Sequence, residues 1–246
     1  MKLGIFGDSF ARSNHFPGNF NTTLPWYEIL KDRFEISNHG LLGTSFYYSY
    51  IQFEKYHSNY DRVVLMVTAP GRIWLPERSR HYRDQGLVYE YEFISGIFSV
   101  DEMISRPEVQ SDPKLLTICT TAKNYFLHIQ NDEFESFTQV LMIDKLKKLR
   151  PDIVLVPCFP HSMGGYGVGL SDIASMENES CGMSQLEMLN KKYVESKHCH
   201  LSEENNMILA KKMLHWLNGE PVSIVLDDYV KNPKDMLRYY SKMDEQ

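Results

Sequence analysis

Ser9 stands at the end of Leu3-Gly4-Ile5-Phe6-Gly7-Asp8-Ser9-Phe10, where an apolar run stops abruptly in Gly-Asp-Ser. A serine just past the carboxyl end of a first strand lies where open α/β sheets keep their chemistry. Its hydroxyl can act as a nucleophile when a base takes its proton and donors hold the oxyanion formed on attack. The same tripeptide is also a common turn, so the assignment depends on partners elsewhere in the chain. The best base is His200, in Lys197-His198-Cys199-His200-Leu201-Ser202-Glu203-Glu204-Asn205. Ser202, two acids and Asn205 read as the N-cap region of a helix, which puts His200 on the loop just before it. That loop can face the strand ends where Ser9 lies.

Other residue groups carry weaker chemistry. Arg72, Arg78, Arg80, Arg83 and His81 cluster in one segment and could clamp a carboxylate, phosphate or sulfate; a solvated charged loop explains them about as well. Trp74, Tyr82, Tyr89, Tyr91 and Phe93 in the same segment could stack on sugar rings or cover an acyl chain, or staple the segment to the domain. The alternation Tyr89-Glu90-Tyr91-Glu92-Phe93 suggests a β-hairpin arm. His198 and His200, two apart, could meet a metal from one face of an extended segment, but this reading ranks well below that of a serine nucleophile, because zinc wants three or four converging ligands and no second Cys/His cluster offers them. The glycine-rich stretch from Met163 to Gly169 lacks the Lys-Ser/Thr ending of a phosphate loop.

These residues must be positioned by strands and helices. Leu3 to Phe6, Val63 to Val67 and Ile153 to Val156 are uninterrupted apolar runs, suited to strands covered on both faces, and Phe34 to Ser37 is a weaker strand. Between them fall helical patterns: Leu24 to Arg33, entered through Pro25; Thr44 to Tyr56; a helix opened by Asp112-Pro113 and running through Leu115, Ala122 and Phe126; and one carrying Phe134, Phe137 and Leu141 that ends before Pro151. The last two are expected to pack an apolar face on the sheet. A further helix runs from Ser202 to about Leu217 and stops at Asn218-Gly219. Strand and helix alternate, the signature of an α/β domain. Residues 71–111 break the alternation and read as a lid-like insertion, and 221–246 as a C-terminal extension of one domain spanning 1–246.

Composition narrows the function. The chain has 246 residues, 43% of them hydrophobic and 24% charged, enough for one large globular domain. A net charge of −6 argues against nucleic-acid binding, which needs an excess of Lys and Arg. No apolar run approaches the ~20 residues of a membrane span, and the opening residues are too quickly polar for a secretory leader. A cytoplasmic protein without membrane contact is therefore expected. The four cysteines lie far apart, with no Cys-x-x-Cys pair, so neither a zinc cluster nor a disulfide framework is suggested.

With Gly7-Asp8-Ser9 after the first strand, Asn38-His39-Gly40-Leu41-Leu42-Gly43 after the second and a late His200, the chain resembles the SGNH or GDSL-type hydrolases. The resemblance rests on short blocks scattered from residue 4 to about 210. It implies a three-layer α/β/α fold with a flavodoxin-like parallel sheet, and an oxyanion hole formed by the backbone amides of Ser9 and Gly43. In that family the third strand usually ends in Gly-x-Asn-Asp; here the chain reads Val67-Thr68-Ala69-Pro70-Gly71-Arg72, and Pro70 has no N–H to give. Thr68 or Arg72 would take that place, with Asp8 and Asn38 as further candidate contacts. The family's acid three residues before the histidine is Lys197 here. A main-chain carbonyl, or Glu195, would then orient His200.

The sequence thus leads to a serine ester hydrolase, acting on a small-molecule or carbohydrate ester such as an O-acyl group, with Ser9 and His200 as a dyad and no cofactor. Two alternatives remain at this level: a non-catalytic binding module on the same fold, and a flavodoxin-like binder of a nucleotide or flavin. Oligomeric state is left open.

Overall fold

The computed structural model describes residues 1–11, 24–41, 44–74, 93–94, 97–159, 162–164, 169–171, 173, 201–220 and 228–229. Four strands form one all-parallel sheet: β1 (Lys2–Phe6), β2 (Glu35–Asn38), β3 (Arg62–Val67) and β6 (Val154–Pro157), in the order β2-β1-β3-β6. Ile5 pairs with Asn38 on one side and Val64 on the other, and Val64 pairs with Val154. The remaining described strands are two-residue segments, β4 (Ile73–Trp74) and β5 (Phe93–Ile94), paired antiparallel. The expected hairpin therefore has a described base at Trp74 and Phe93, while Tyr89 and Tyr91 lie outside the described residues.

Apolar runs form the central strands because both faces of the sheet are covered. Leu3, Ile5, Val64, Met66, Val154 and Val156 point to one side, where they meet α1 (Trp26–Ile29) and α7 (Glu203–Leu217). Phe6, Val63, Leu65 and Val67 point to the other, against α2 (Phe46–Tyr56) and α6 (Asp132–Leu149). The result is a three-layer α/β/α fold.

The first crossover helix is shorter than its apolar pattern suggests. It is extended from Pro25 through α1 by a 3₁₀ turn, Leu30–Asp32. Later helices start where capping residues dictate: Ser45 Oγ accepts from Tyr48 N for α2, Asp112 from Lys114 N and Leu115 N for α5 (Pro113–His128), Asn131 from Phe134 N for α6, and Ser202 from Asn205 N for α7. Each such cap is worth about 1 kcal/mol.

One expectation is corrected. Helix α5 does not lie on the sheet; its Leu115, Cys119 and Ala122 pack with Val100, Met103 and Val109 from α3 (Ile97–Ser105) and α4 (Pro107–Ser111). The preceding helices take up the apolar stripe of α5, so none of it is left for the sheet. Helix α6 does lie on the sheet, but through Gln139, Ile143 and Leu146, while Phe134, Phe137 and Leu141 are 63%, 60% and 53% exposed. At the far end of the chain, Tyr229 is buried in the first core cluster, and Lys212 lies over its ring. No helix among the described residues is long and apolar enough to cross a membrane.

Candidate functional site

The chain runs from β1 to β2 on one side and returns to β3 on the other, so the strand order reverses between β1 and β3. Ligands of open α/β sheets bind in the crevice at the carboxyl ends of such a pair. Residues 7–11 leave β1 there and residues 68–72 leave β3.

Gly7 makes the turn out of β1 possible. Its φ of +136° suits glycine, and a Cβ would stand 2.5 Å from Met66 Cβ and 2.6 Å from Met66 O. Asp8 is fully buried, and its Oδ1 accepts from Phe10 N at 3.0 Å, an Asx turn that folds the chain back beneath Ser9. Ala11 N donates to Asp8 O at 3.0 Å. With the amides of residues 10 and 11 so engaged, the Ser9 amide has no acceptor among the described residues. The Ser9 side chain itself is half-buried at the crest of the turn.

Asn38 joins this turn to the loop after β2. Its Nδ2 donates to Ala11 O at 2.7 Å while its Oδ1 accepts from Gly40 N at 2.8 Å. Main-chain bonds continue the contact beyond the strand, from His39 N to Ile5 O at 2.7 Å and from Leu41 N to Gly7 O at 3.0 Å. Gly40 is needed for close approach, because a Cβ there would lie 2.6 Å from Ala11 Cβ. Gly43, two residues beyond Leu41, lies outside the described residues. His39 itself is stacked between Phe6 and Tyr56, with Nε2 2.6 Å from the Tyr60 hydroxyl, and burial lowers its pKa.

Across the crevice, Arg72 Nη1 is 3.5 Å from Asp8 Oδ2 and donates to Thr44 O at 3.3 Å. Its guanidinium lies 4.7 Å above the Phe159 ring. Burial lowers the Arg72 pKa and the Asp8 charge opposes that shift; an arginine keeps its charge regardless. Thr68 is buried, and its Oγ1 has no partner among the described residues, as is true of Ser162 Oγ. Gln139 of α6 ties these loops together, its Nε2 donating to Thr68 O at 2.9 Å and Ser162 O at 2.7 Å. Beneath them Cys158 is fully buried, and burial, reinforced by Asp8, raises its thiol pKa well above the ordinary value.

The structure thus places Asp8, Ser9, Asn38, Thr68 and Arg72 at or just past the carboxyl ends of β1, β2 and β3. His200, Glu195, Lys197 and His198 lie outside the described residues, as do Arg78, Arg80, His81, Arg83, Tyr82, most of the glycine-rich stretch and most of 221–246. The helix that follows His200 is described, and Trp26 connects it to the serine turn. The indole Nε1 of Trp26 donates to Phe10 O at 2.9 Å, and Trp26 N donates to Asn206 Oδ1 at 3.2 Å in the first turn of α7. Leu201 is buried in the same core cluster as Phe10 and Trp26.

Phe159, Gln139 and Thr44 were not among the sequence candidates. Phe159 had a signal, since it lies just past the apolar run at Ile153 to Val156, at the same end of the sheet as Ser9. Among the described residues no group of three or more His, Cys, Asp or Glu side chains could hold a metal ion.

No protein-family model matches the chain, and no curated protein matches it in sequence. Among solved structures there is a likeness to the crystal structure of an acetyl xylan esterase, AlAXEase, at 16% identity over 87% of this chain and 98% of that one, with a TM-score of 0.31. A superposition of that quality adds nothing to the geometry above.

Proposed function

We propose that the chain hydrolyses carboxylic esters by acyl transfer to Ser9. The hydroxyl of Ser9 attacks the ester carbonyl, His200 takes its proton and returns it to the departing alcohol, and the amides of Ser9 and Gly43 hold the oxyanion. Water then releases the acyl group by the same route in reverse. Asn38 acts as a positioning residue that sets the Gly40 loop against the Ser9 turn. Asp8 fixes that turn from below. His200 is oriented by a main-chain carbonyl or by Glu195, since Lys197 cannot accept the imidazole proton. A small acyl ester on a carbohydrate alcohol suits the aromatic segment after Arg72.

The observation that carries this reading is the Trp26 bridge. One side chain binds the residue after Ser9 and its own main chain binds the first turn of the helix that begins just after His200. Trp26 thereby joins the turn that carries Ser9 to the helix that follows His200 in sequence, and this favours pairing the two residues. The Ser9 amide, without an acceptor among the described residues, would add a donor where the oxyanion forms. The test is hydrolysis of a small aryl ester by the full chain. Ser9→Ala is expected to lower kcat/KM by at least ~10³-fold with the circular dichroism spectrum unchanged. Equal hydrolysis by the wild type and Ser9→Ala would leave the crevice as a binding site without this chemistry.

A further inference from the structure

Arg72 carries more donors than the described residues use. Its side chain is 10% exposed. A guanidinium offers five N–H donors, yet the described acceptors meet only Nη1, at 3.5 Å from Asp8 Oδ2 and 3.3 Å from Thr44 O. Both distances are long beside the ~2.7–2.9 Å of a charge-assisted pair. Of the two Asp8 oxygens only Oδ2 approaches Arg72, while Oδ1 accepts from Phe10 N. The Nε and Nη2 donors, which form the edge suited to two-point recognition of an oxyanion, meet no acceptor among the described residues. The Phe159 ring lies 4.7 Å from the guanidinium carbon and restricts its movement.

We infer that the Nε/Nη2 edge of Arg72 binds a carboxylate of the substrate. The ester is then one whose acyl or alcohol part carries a carboxylate within a few bonds of the scissile carbonyl, because the edge belongs to a side chain that faces Asp8, the neighbour of Ser9. A planar monoanion fits better than a phosphate. Asp8 already offsets the Arg72 charge, so a dianion would bring two uncompensated negative charges into a poorly solvated crevice, and a carboxylate only one. The ester part of this inference rests on the Ser9 reading; the carboxylate part rests on Arg72 alone.

Two measurements separate those parts. Isothermal titration calorimetry with monomethyl succinate, using dimethyl succinate as the neutral comparator, reads the anion site without chemistry. Ser9→Ala, which has no nucleophile to turn either ester over, is expected to bind the monoester in preference to the diester, and adding Arg72→Gln to it to weaken monoester binding about 10–100-fold. Hydrolysis of p-nitrophenyl hemisuccinate and p-nitrophenyl acetate reads the ratio of kcat/KM for the anionic and neutral esters. That ratio is expected to fall at least ~10-fold in Arg72→Gln, and to fall partly in Arg72→Lys, which keeps the charge but not the two-pronged edge. Arg72→Lys also serves if Arg72→Gln does not fold. An unchanged ratio, or monoester binding equal to diester binding in Ser9→Ala, overturns the carboxylate site. Binding that depends on Arg72 while neither ester is hydrolysed keeps the site and removes the hydrolase reading.

Discussion

The two halves of the crevice are built on different principles. On the side of β1 and β2, short polar side chains and backbone satisfy one another: Asp8 holds Phe10 N, Asn38 spans Ala11 O and Gly40 N, and main-chain bonds continue past the strands. On the side of β3 and β6 the loops are joined from outside by Gln139, and among the described residues two buried hydroxyls have no partner and the Arg72 donors are only partly used. In the first half the turn is held in shape without a ligand and only the Ser9 amide lacks an acceptor among the described residues, an arrangement in which geometry can precede a substrate. The second half is left short of acceptors, the condition in which a ligand group gains most by binding.

The largest effect on stability is expected in the first half, at Gly7. Gly7→Ala places a Cβ against Met66 main chain and side chain at a φ that disfavours any side chain. It should cost about 2–4 kcal/mol, read as a lower urea midpoint at unchanged m. A loss below ~1 kcal/mol would mean that the turn is loose, and the contrast between the halves would fail.

Next come the two amide side chains that join loops, one in each half. Gln139→Leu leaves the carbonyls of Thr68 and Ser162 buried without that donor, and about 2–3 kcal/mol of stability should be lost. Asn38→Ala removes two bonds in a partly buried place and should cost ~1–2 kcal/mol. Their effects on ester hydrolysis should be ordered the other way, with Asn38→Ala the more damaging to kcat because it frees the Gly40 loop from the serine turn. Equal losses of kcat in the two variants would erase the distinction.

The smallest effect is in pH dependence. Burial lowers the pKa of both His39, between Phe6 and Tyr56, and His57, stacked on Phe53. Below the ordinary imidazole value of about 6.5, the unfolded chain takes up protons that the folded chain resists. Stability is therefore full above that pH and declines as pH falls through it. The melting temperature should drop between about pH 7 and pH 5, and His39→Gln should flatten part of the drop. A melting temperature that rises on acidification over that range would contradict the assignment.

Much of the scaffold was legible because β-branched runs have few alternatives: Val63 to Val67 and Ile153 to Val156 could hardly be placed except in a sheet covered on both faces. The location of Ser9 followed from the end of the first such run. Helix α6 misled because it carries two helical stripes. Phe134, Phe137 and Leu141 form the more apolar one, yet the sheet takes Gln139, Ile143 and Leu146. A buried glutamine that feeds two carbonyls is invisible until the loops it joins are in place. Arg72 was a candidate by position, but its incomplete pairing depends on Asp8, Thr44 and Phe159, which come from three separate loops and share no local pattern.

The central claim is that Ser9 is an activated nucleophile with His200 as its base. Treating the full chain with a fluorophosphonate and reading the adduct by intact-mass and peptide mass spectrometry tests it most directly. One adduct on Ser9 is expected, absent in Ser9→Ala and slowed by at least ~10²-fold in His200→Ala. A wild-type chain that remains unlabelled at Ser9, or one labelled there equally fast without His200, would contradict it.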